Sequence, residues 1–319
     1  MIIKLYGVRG SLPAPLLNRD LRSRLREILR LAVERQLNSV DRIDPFLDDL
    51  PDYLGFTTGG DTTCITVRRN DELFIVDAGT GLRVLGDELL PGPAGQGKAV
   101  LHIFFTHTHW DHIHGLPFFK PLYIPGNEIH FYSPLPDLEE RLAYQTDERF
   151  FPMPFHRTAS TKFFHRLDGE LEIRPGLLID TYPLKHPGGS FAYRFREAGR
   201  KFVFATDVEF NGDDLLDRND HLNFFSEADL LILDAQYTLD ESFMKIDWGH
   251  TSFSMAVNCA VHWKVKNLVL THHEPAYNDR RIYENYENAI EHRRILKQDR
   301  PRIYLAREGT VYHVGDEVV

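Results

Sequence analysis

The stretch THTHWDHIHG, residues 106–115, follows the apolar run VLHIFF at 100–105 and crowds His107, His109, Asp111 and His112 into six positions. In extended backbone, residues two apart point the same way, so His107 and His109 can share one metal ion. Asp111 and His112 fall where the chain turns and can face a second ion beside the first. Neutral imidazole and carboxylate suit Zn²⁺ and also tolerate Mn²⁺ or Fe²⁺. The plainer alternative is a polar loop whose histidines cap a helix. That would serve for one histidine, but not for so dense a set.

Working outward, short β-rich runs dominate: 2–6, 63–69, 72–79, 100–105, 177–184, 190–197, 201–207, 230–235, 268–272, 302–306 and 310–314. Many are apolar throughout, as in strands buried on both faces. Helices are predicted over 18–37, where Leu21, Leu25, Ile28, Leu29 and Val33 make one apolar face, over 252–265 and over 279–297. This order predicts a layered α/β protein, helices outside a sheet sandwich, with residues 1–319 as one domain. Three of the strands run directly into further ligand-type residues. His186 follows DTYPLK, Asp207 ends KFVFATD and His272 ends NLVLTH. Ligands at strand ends let a rigid sheet fix their geometry while the loops stay open to substrate.

Composition narrows the function classes. The formal net charge of −10 argues against a partner gripped mainly through a phosphate backbone, so long nucleic acid is disfavoured. Cys64 and Cys259 are too few for a disulfide framework and are expected to be buried packing residues. No apolar stretch approaches the length needed to span a bilayer, and a cytoplasmic location is the expectation.

In order along the chain, Asp77 in FIVDAGTG, the HxHxDH at 107–112, His186, Asp207 and His272 match the five motifs of the metallo-β-lactamase superfamily, which the chain resembles over nearly its full length. The resemblance implies an αββα sandwich, here with an N-terminal helical insertion at about 16–50, and a dinuclear metal site at one edge of the sheets. By position, His107, His109 and His186 would hold one ion, and Asp111, His112 and His272 the other, with Asp207 bridging and Asp77 supporting from behind. Zn²⁺ is the expected metal and Mn²⁺ the alternative.

Within the superfamily, WGHTS (248–252), GVRGSLPAP, GGDTTCITV (59–67) and HPGGSFAYRF (186–195) resemble the RNase Z-like and cyclic-nucleotide phosphodiesterase branch. The resemblance implies hydrolysis of a phosphodiester by a metal-bridging hydroxide, oriented by Asp111 and Asp207, with His250 as general acid. Arg9 and Lys185 are weaker candidates for phosphate contact. The branch's tRNA-cutting members carry a basic, glycine-rich arm between motifs two and three. Here the interval 113–185 is acidic and aromatic, so a small or cyclic nucleotide is the favoured substrate. An RNase Z-like endonuclease and a carboxylic-ester, lactone or thioester hydrolase are the alternatives. Phe150, Phe151 and Phe155 in ERFFPMPF (148–155) would stack a base or pack within the protein, and Phe151 is carried as the substrate candidate. The outer face of helix 18–37, with Arg19, Arg22, Arg24, Arg26, Arg30 and Arg35, is a solvated surface, a homodimer contact or an anionic-ligand patch.

Overall fold

The computed structural model describes residues 1–216 and 221–314. Its first sheet has seven strands in the order β14-β1-β2-β3-β4-β5-β6. These are β1 Ile2–Gly7, β2 Cys64–Arg69, β3 Glu72–Val76, β4 Val100–Phe104, β5 Glu128–Ser133, β6 Thr161–Arg166 and, from the far end of the chain, β14 Val311–His313. The second sheet, also of seven strands, runs β13-β12-β11-β10-β9-β8-β7. Its members are β7 Leu171–Arg174, β8 Leu177–Leu184, β9 Ser190–Glu197, β10 Arg200–Ala205, β11 Leu230–Asp234, β12 Asn267–Thr271 and β13 Arg302–Leu305.

Alternation along the strands builds the layers. Phe104 of β4 and Phe202 and Phe204 of β10 point into the core between the sheets. Leu101 and Ile103 of β4 point the other way, under the helix α4 (Gly81–Leu89). Val203 and Ala205 of β10 do the same beneath α9 (Phe253–His262) and α10 (Asp279–Ile295). Burial on both faces explains why these strands are apolar throughout. The result is the αββα sandwich expected from the sequence. Cys64 and Cys259 are buried free thiols within it.

Three strands were not foreseen. β5, β6 and β7 all lie in the interval 113–185, taken from its composition as an acidic and aromatic segment. EIHFYS and TKFFHR carry His130 and His165 on the face turned to the inter-sheet layer, near its edge. Alternation there is between apolar and titratable groups, which hides the strand pattern. Those groups stack: His102 and His130 have ring centroids 5.1 Å apart, and His130 Nδ1 lies 2.9 Å from His165 Nε2.

This histidine ladder predicts an acid-sensitive edge. Burial, helped by the neighbouring His130, pushes His102 down to about 4 from an ordinary 6.5. Protonation therefore favours the unfolded chain, and the stability present above pH 6.5 is lost as pH falls toward 4. Denaturation midpoints measured between pH 7.5 and 5 are expected to fall less steeply in His102→Gln than in the parent protein. Equal slopes would remove this role for His102.

The helical insertion lies between β1 and β2 and extends further than expected. It comprises α1 (Asn18–Glu34), a 3-10 turn at Val40–Arg42, α2 (Ile43–Asp48) and α3 (Asp52–Gly55). The apolar face of α1 is not the one expected. Ile28, Leu31 and Ala32 pack on Phe46, Leu50 and Leu54, whereas Leu21, Leu25, Leu29 and Val33 are exposed. Arg24, expected on the outer face, turns inward to pair with Asp279, and Arg35 pairs with Asp49.

Candidate metal centre

The C-terminal ends of the central strands of both sheets meet along one edge, where such sheets usually carry ligands. β3 runs into Asp77, β4 into Thr106 and His107, β10 into Asp207, β11 ends on Asp234 and β12 runs into His272. Asp77, Asp207 and His272 all have left-handed backbone, with φ of 61°, 56° and 62°. Aspartate and histidine tolerate that region better than most residues, and such strain collects at functional positions. The left-handed kink turns each side chain out of the pleat and toward the common edge.

Seven of the predicted residues come together in two groups. His107, His109, His186 and Asp207 form one, and Asp111, His112, His272 and Asp207 the other, with potential ligand atoms inside 4.8 Å of one another in each. Asp207 belongs to both, one oxygen to each. Its Oδ1 is 3.7 Å from both His107 Nε2 and His186 Nε2, and its Oδ2 is 3.0 Å from His112 Nε2 and 3.3 Å from His272 Nε2. Asp111 Oδ2 completes the second group, 3.4 Å from His112 Nε2 and 3.2 Å from His272 Nε2.

The donor chemistry fits divalent cations. His107 Nε2 and His112 Nε2 are buried and make no hydrogen bond, despite carboxylate oxygens close by. A buried imidazole nitrogen left without a bond is costly unless it has another acceptor for its lone pair. The opposite nitrogens are tied down. His112 Nδ1 is 2.8 Å from Asp77 Oδ2, His107 Nδ1 is 3.0 Å from Thr106 Oγ1, His186 Nδ1 is 2.9 Å from the Gly249 carbonyl and His272 Nδ1 is 3.1 Å from Gln236 Oε1. Fixing one nitrogen of each ring leaves the other aimed inward, the usual arrangement around a ligated metal. Asp77 also accepts from Thr106 N and Thr106 Oγ1, at 2.8 Å each. Asp77→Ala is accordingly expected to weaken metal affinity by about 10–100-fold with the fold retained, measured by competition with a chelator.

Electrostatics follow from the crowding. Burial opposes ionisation of Asp207, yet the imidazoles of His112, His272 and His107 outweigh it and hold the carboxyl well below the usual carboxylate range. Burial likewise disfavours a charged His272, but Asp207, Asp111 and Asp234 raise it to about 9. His107 is pushed down by burial and by the neighbouring His112.

His250 sits over both groups, its ring centroid 5.2 Å from that of His186 and 4.9 Å from that of His272. Its Nδ1 lies 2.8 Å from Asp234 Oδ2. It does not cap α9; the Ser252 side chain does, accepting from Met255 N. Asp234 was missed in the sequence, although it ends an apolar strand just as Asp77 and Asp207 follow theirs. Asp234 and His250 also lie close enough to His272 to resemble a third ligand group. Asp234 is however already an acceptor for Asp207 N at 3.0 Å and for Gln236 N and Thr251 N at 3.2 Å each. It is an orienting group. Two glycines allow this closeness: a Cβ on Gly10 would lie 2.4 Å from His272 Nδ1, and one on Gly249, at φ +85°, 2.2 Å from His186 Nδ1.

Other candidates are placed elsewhere. Arg9 is buried, and its guanidinium donates to the carbonyls of Gly59, Glu274 and Tyr277 and to Thr58 Oγ1, which gives it a structural role between loops. Lys185 pairs with Glu209 and Asp247. Phe155 belongs to the core outside the first sheet, Phe151 packs its half-buried ring edge-on to Phe118, and Phe150 is exposed. Phe151 thus has a packing contact and no ring contact with the metal ligands. His273 Nε2 bonds the Ala306 carbonyl, away from the cluster, and His114 stacks on Trp110.

A family model described as the beta-lactamase superfamily domain matches residues 73–273, spanning the HxHxDH loop through to His272. The chain belongs to the metallo-β-lactamase superfamily. Curated relatives place it in the RNase Z-like branch. A Ribonuclease Z of Prochlorococcus marinus (strain NATL1A) is 28% identical over 229 residues, 55% of this chain and 70% of that protein. One of Crocosphaera subtropica is 24% identical over 332 residues, 82% of this chain and 97% of that protein. Among solved structures, the metallo-β-lactamase fold protein YhfI of Bacillus subtilis superposes with a TM-score of 0.64 at 17% identity, covering 98% of both chains. The short form of human tRNase Z gives 0.58 at 18% identity, covering 99% of this chain and 100% of that one. This metallo-β-lactamase superfamily member is a metal-dependent hydrolase. Among the described residues, no helix is long and apolar enough to cross a membrane.

Proposed function

We propose that the protein is a phosphodiesterase that works with two divalent cations, Zn²⁺ or Mn²⁺. The observation that carries this reading is the Asp234–His250 pair, a proton donor held above both ligand groups. Carboxylic-ester chemistry with a good leaving group has no need of it. When bound, the cations supply Lewis acidity and lower the pKa of water. His107, His109 and His186 would hold one of them, Asp111, His112 and His272 the other, and Asp207 both. A water oriented by Asp111 and Asp207 attacks phosphorus. His250, as an imidazolium, donates the proton on Nε2 to the departing oxygen, while Asp234 accepts from Nδ1–H, orients the ring and stabilises its charge.

The relatives named Ribonuclease Z support an RNA phosphodiester as the substrate, ahead of the cyclic nucleotide expected from the sequence. A small phosphodiester is the second reading, and one observation favours it. The interval 113–185 folds into β5 and β6 of the first sheet and β7 and β8 of the second, with an acidic helix (α6, Leu138–Gln145) between β5 and β6. Glu139 and Glu140 in the first turn of α6 repel a phosphate backbone.

Metal-reconstituted protein is to be given precursor tRNA, 2′,3′- and 3′,5′-cyclic nucleotides, bis(p-nitrophenyl) phosphate and a thioester in parallel. Cleavage of the precursor with steep salt dependence supports the first reading, and turnover of the small diesters alone supports the second. Thioester hydrolysis with every phosphodiester untouched would overturn both.

A further inference from the structure

The residues just ahead of the proposed proton donor are apolar and exposed. Phe243 and Met244 end the helix α8 (Leu239–Met244), and Ile246 and Trp248 follow in the turn that leads to His250. The four are 67%, 82%, 63% and 61% exposed. Trp248, the largest of them, stands two positions before His250 and directly before Gly249, whose carbonyl lies 2.9 Å from His186 Nδ1.

The backbone that presents this indole is held on all sides. Asp247 and Gly249, its two neighbours, have left-handed φ of 64° and 85°. Trp248 N donates to the Lys245 carbonyl at 3.2 Å, and Gly249 N donates to Glu209 Oε2 at 3.2 Å. Lys185 Nζ ties the same turn down, 3.0 Å from Asp247 Oδ1 and 2.7 Å from Glu209 Oε1. Left-handed backbone at a residue other than glycine costs free energy, and it persists where surrounding contacts impose it, commonly at functional positions. Side chains link the indole to the site as well. The Tyr237 ring meets His250 edge-on, with centroids 5.7 Å apart. Lys245 Nζ lies 4.0 Å from the centroid of Tyr237 and 5.6 Å from that of Trp248. The ammonium thus orients the indole through its ring, while most of the residue stays open to solvent.

A flat aromatic ring fixed at the rim of a reaction site and left in water is a platform for stacking. Its occupant follows from the side on which it stands. His250 protonates the departing oxygen, and Trp248 belongs to the same turn, so the departing half of the substrate passes along the indole. We propose that Trp248 is a specificity residue that stacks the base of the departing nucleoside. The substrate is then a diester with a nucleoside on its leaving side, in preference to a simple alkyl diester. This rests on the phosphodiesterase reading above, and it gives to Trp248 the base-stacking role expected of Phe151.

The test uses the full-length, metal-loaded protein and a dinucleotide, beside two analogues in which the base on one side of the phosphate or the other is replaced by hydrogen. Analysis of the products shows which nucleoside departs. Removing the departing base is expected to lower kcat/KM of the parent protein by about 5- to 100-fold. Trp248→Ala should abolish most of that difference, whereas Trp248→Phe, which keeps a flat ring, should retain much of it. Met244→Ala, in the same apolar run, should leave the difference intact. A parent protein indifferent to the departing base would overturn the proposal. So would Trp248→Ala lowering both rates equally, or Met244→Ala acting like Trp248→Ala. Should no dinucleotide be cleaved, the phosphodiesterase reading fails by itself, and the stack is then read by titrating adenosine 5′-monophosphate and ribose 5-phosphate. Tighter binding of the nucleotide, lost in Trp248→Ala, supports the stack, and equal binding of the two removes it.

Discussion

Asp207→Asn is expected to leave a folded protein that binds at most one metal equivalent and turns over its substrate at least about 10³-fold more slowly. Asp207 is the only side chain common to both ligand groups, with Oδ1 toward His107 and His186 and Oδ2 toward His112 and His272. Asparagine keeps the shape and the left-handed backbone, so the loss is one of charge. It exchanges one acceptor oxygen for an amide donor at the point where four imidazoles converge. Metal content by elemental analysis, measured beside kcat, checks the result. Two tightly held metals with normal turnover would remove Asp207 from the bridging position.

His250→Ala is expected to lower kcat by about 10²–10⁴ on a diester whose leaving group is a sugar alkoxide. The loss should be far smaller on bis(p-nitrophenyl) phosphate, whose nitrophenolate departs without a proton. Asp234→Asn should follow the same pattern more weakly, since it leaves the imidazole in place but disturbs its tautomer, set by a contact of 2.8 Å. Metal content should be unchanged by His250→Ala. An equal loss on both substrates would make the histidine a structural support for its neighbours His186 and His272.

What could be read in the sequence followed the strength of local signals. Strands buried on both faces are uninterrupted apolar runs, and each of those predicted lies within three residues of an observed strand. The residues that converge in the two groups were legible because five separate motifs keep a fixed order. β5, β6 and β7 were not, because His130 and His165 stand where an apolar residue would complete the inward face, and β7 is only four residues long. Asp234 carried the same signature as Asp207, yet no nearby histidine in the chain drew attention to it; its partner His250 lies sixteen positions on. Arg9 looked like an anion contact because nothing local reveals that its guanidinium closes the gap between two loops. The register of α1 failed for a different reason. Its leucines are present at helical spacing on more than one side, and periodicity alone does not say which side is covered.

The charge balance around Asp207 bears on how the centre loads. Asp207, Asp111 and Asp234 lift His272 to about 9, so binding of a cation at this ring is coupled to release of a proton. Protons therefore act as placeholders for the ions, filling part of the positive charge that the buried carboxylates demand. Loading is then an exchange of one kind of positive charge for another. A lower pH is therefore expected to compete with the ions for the site.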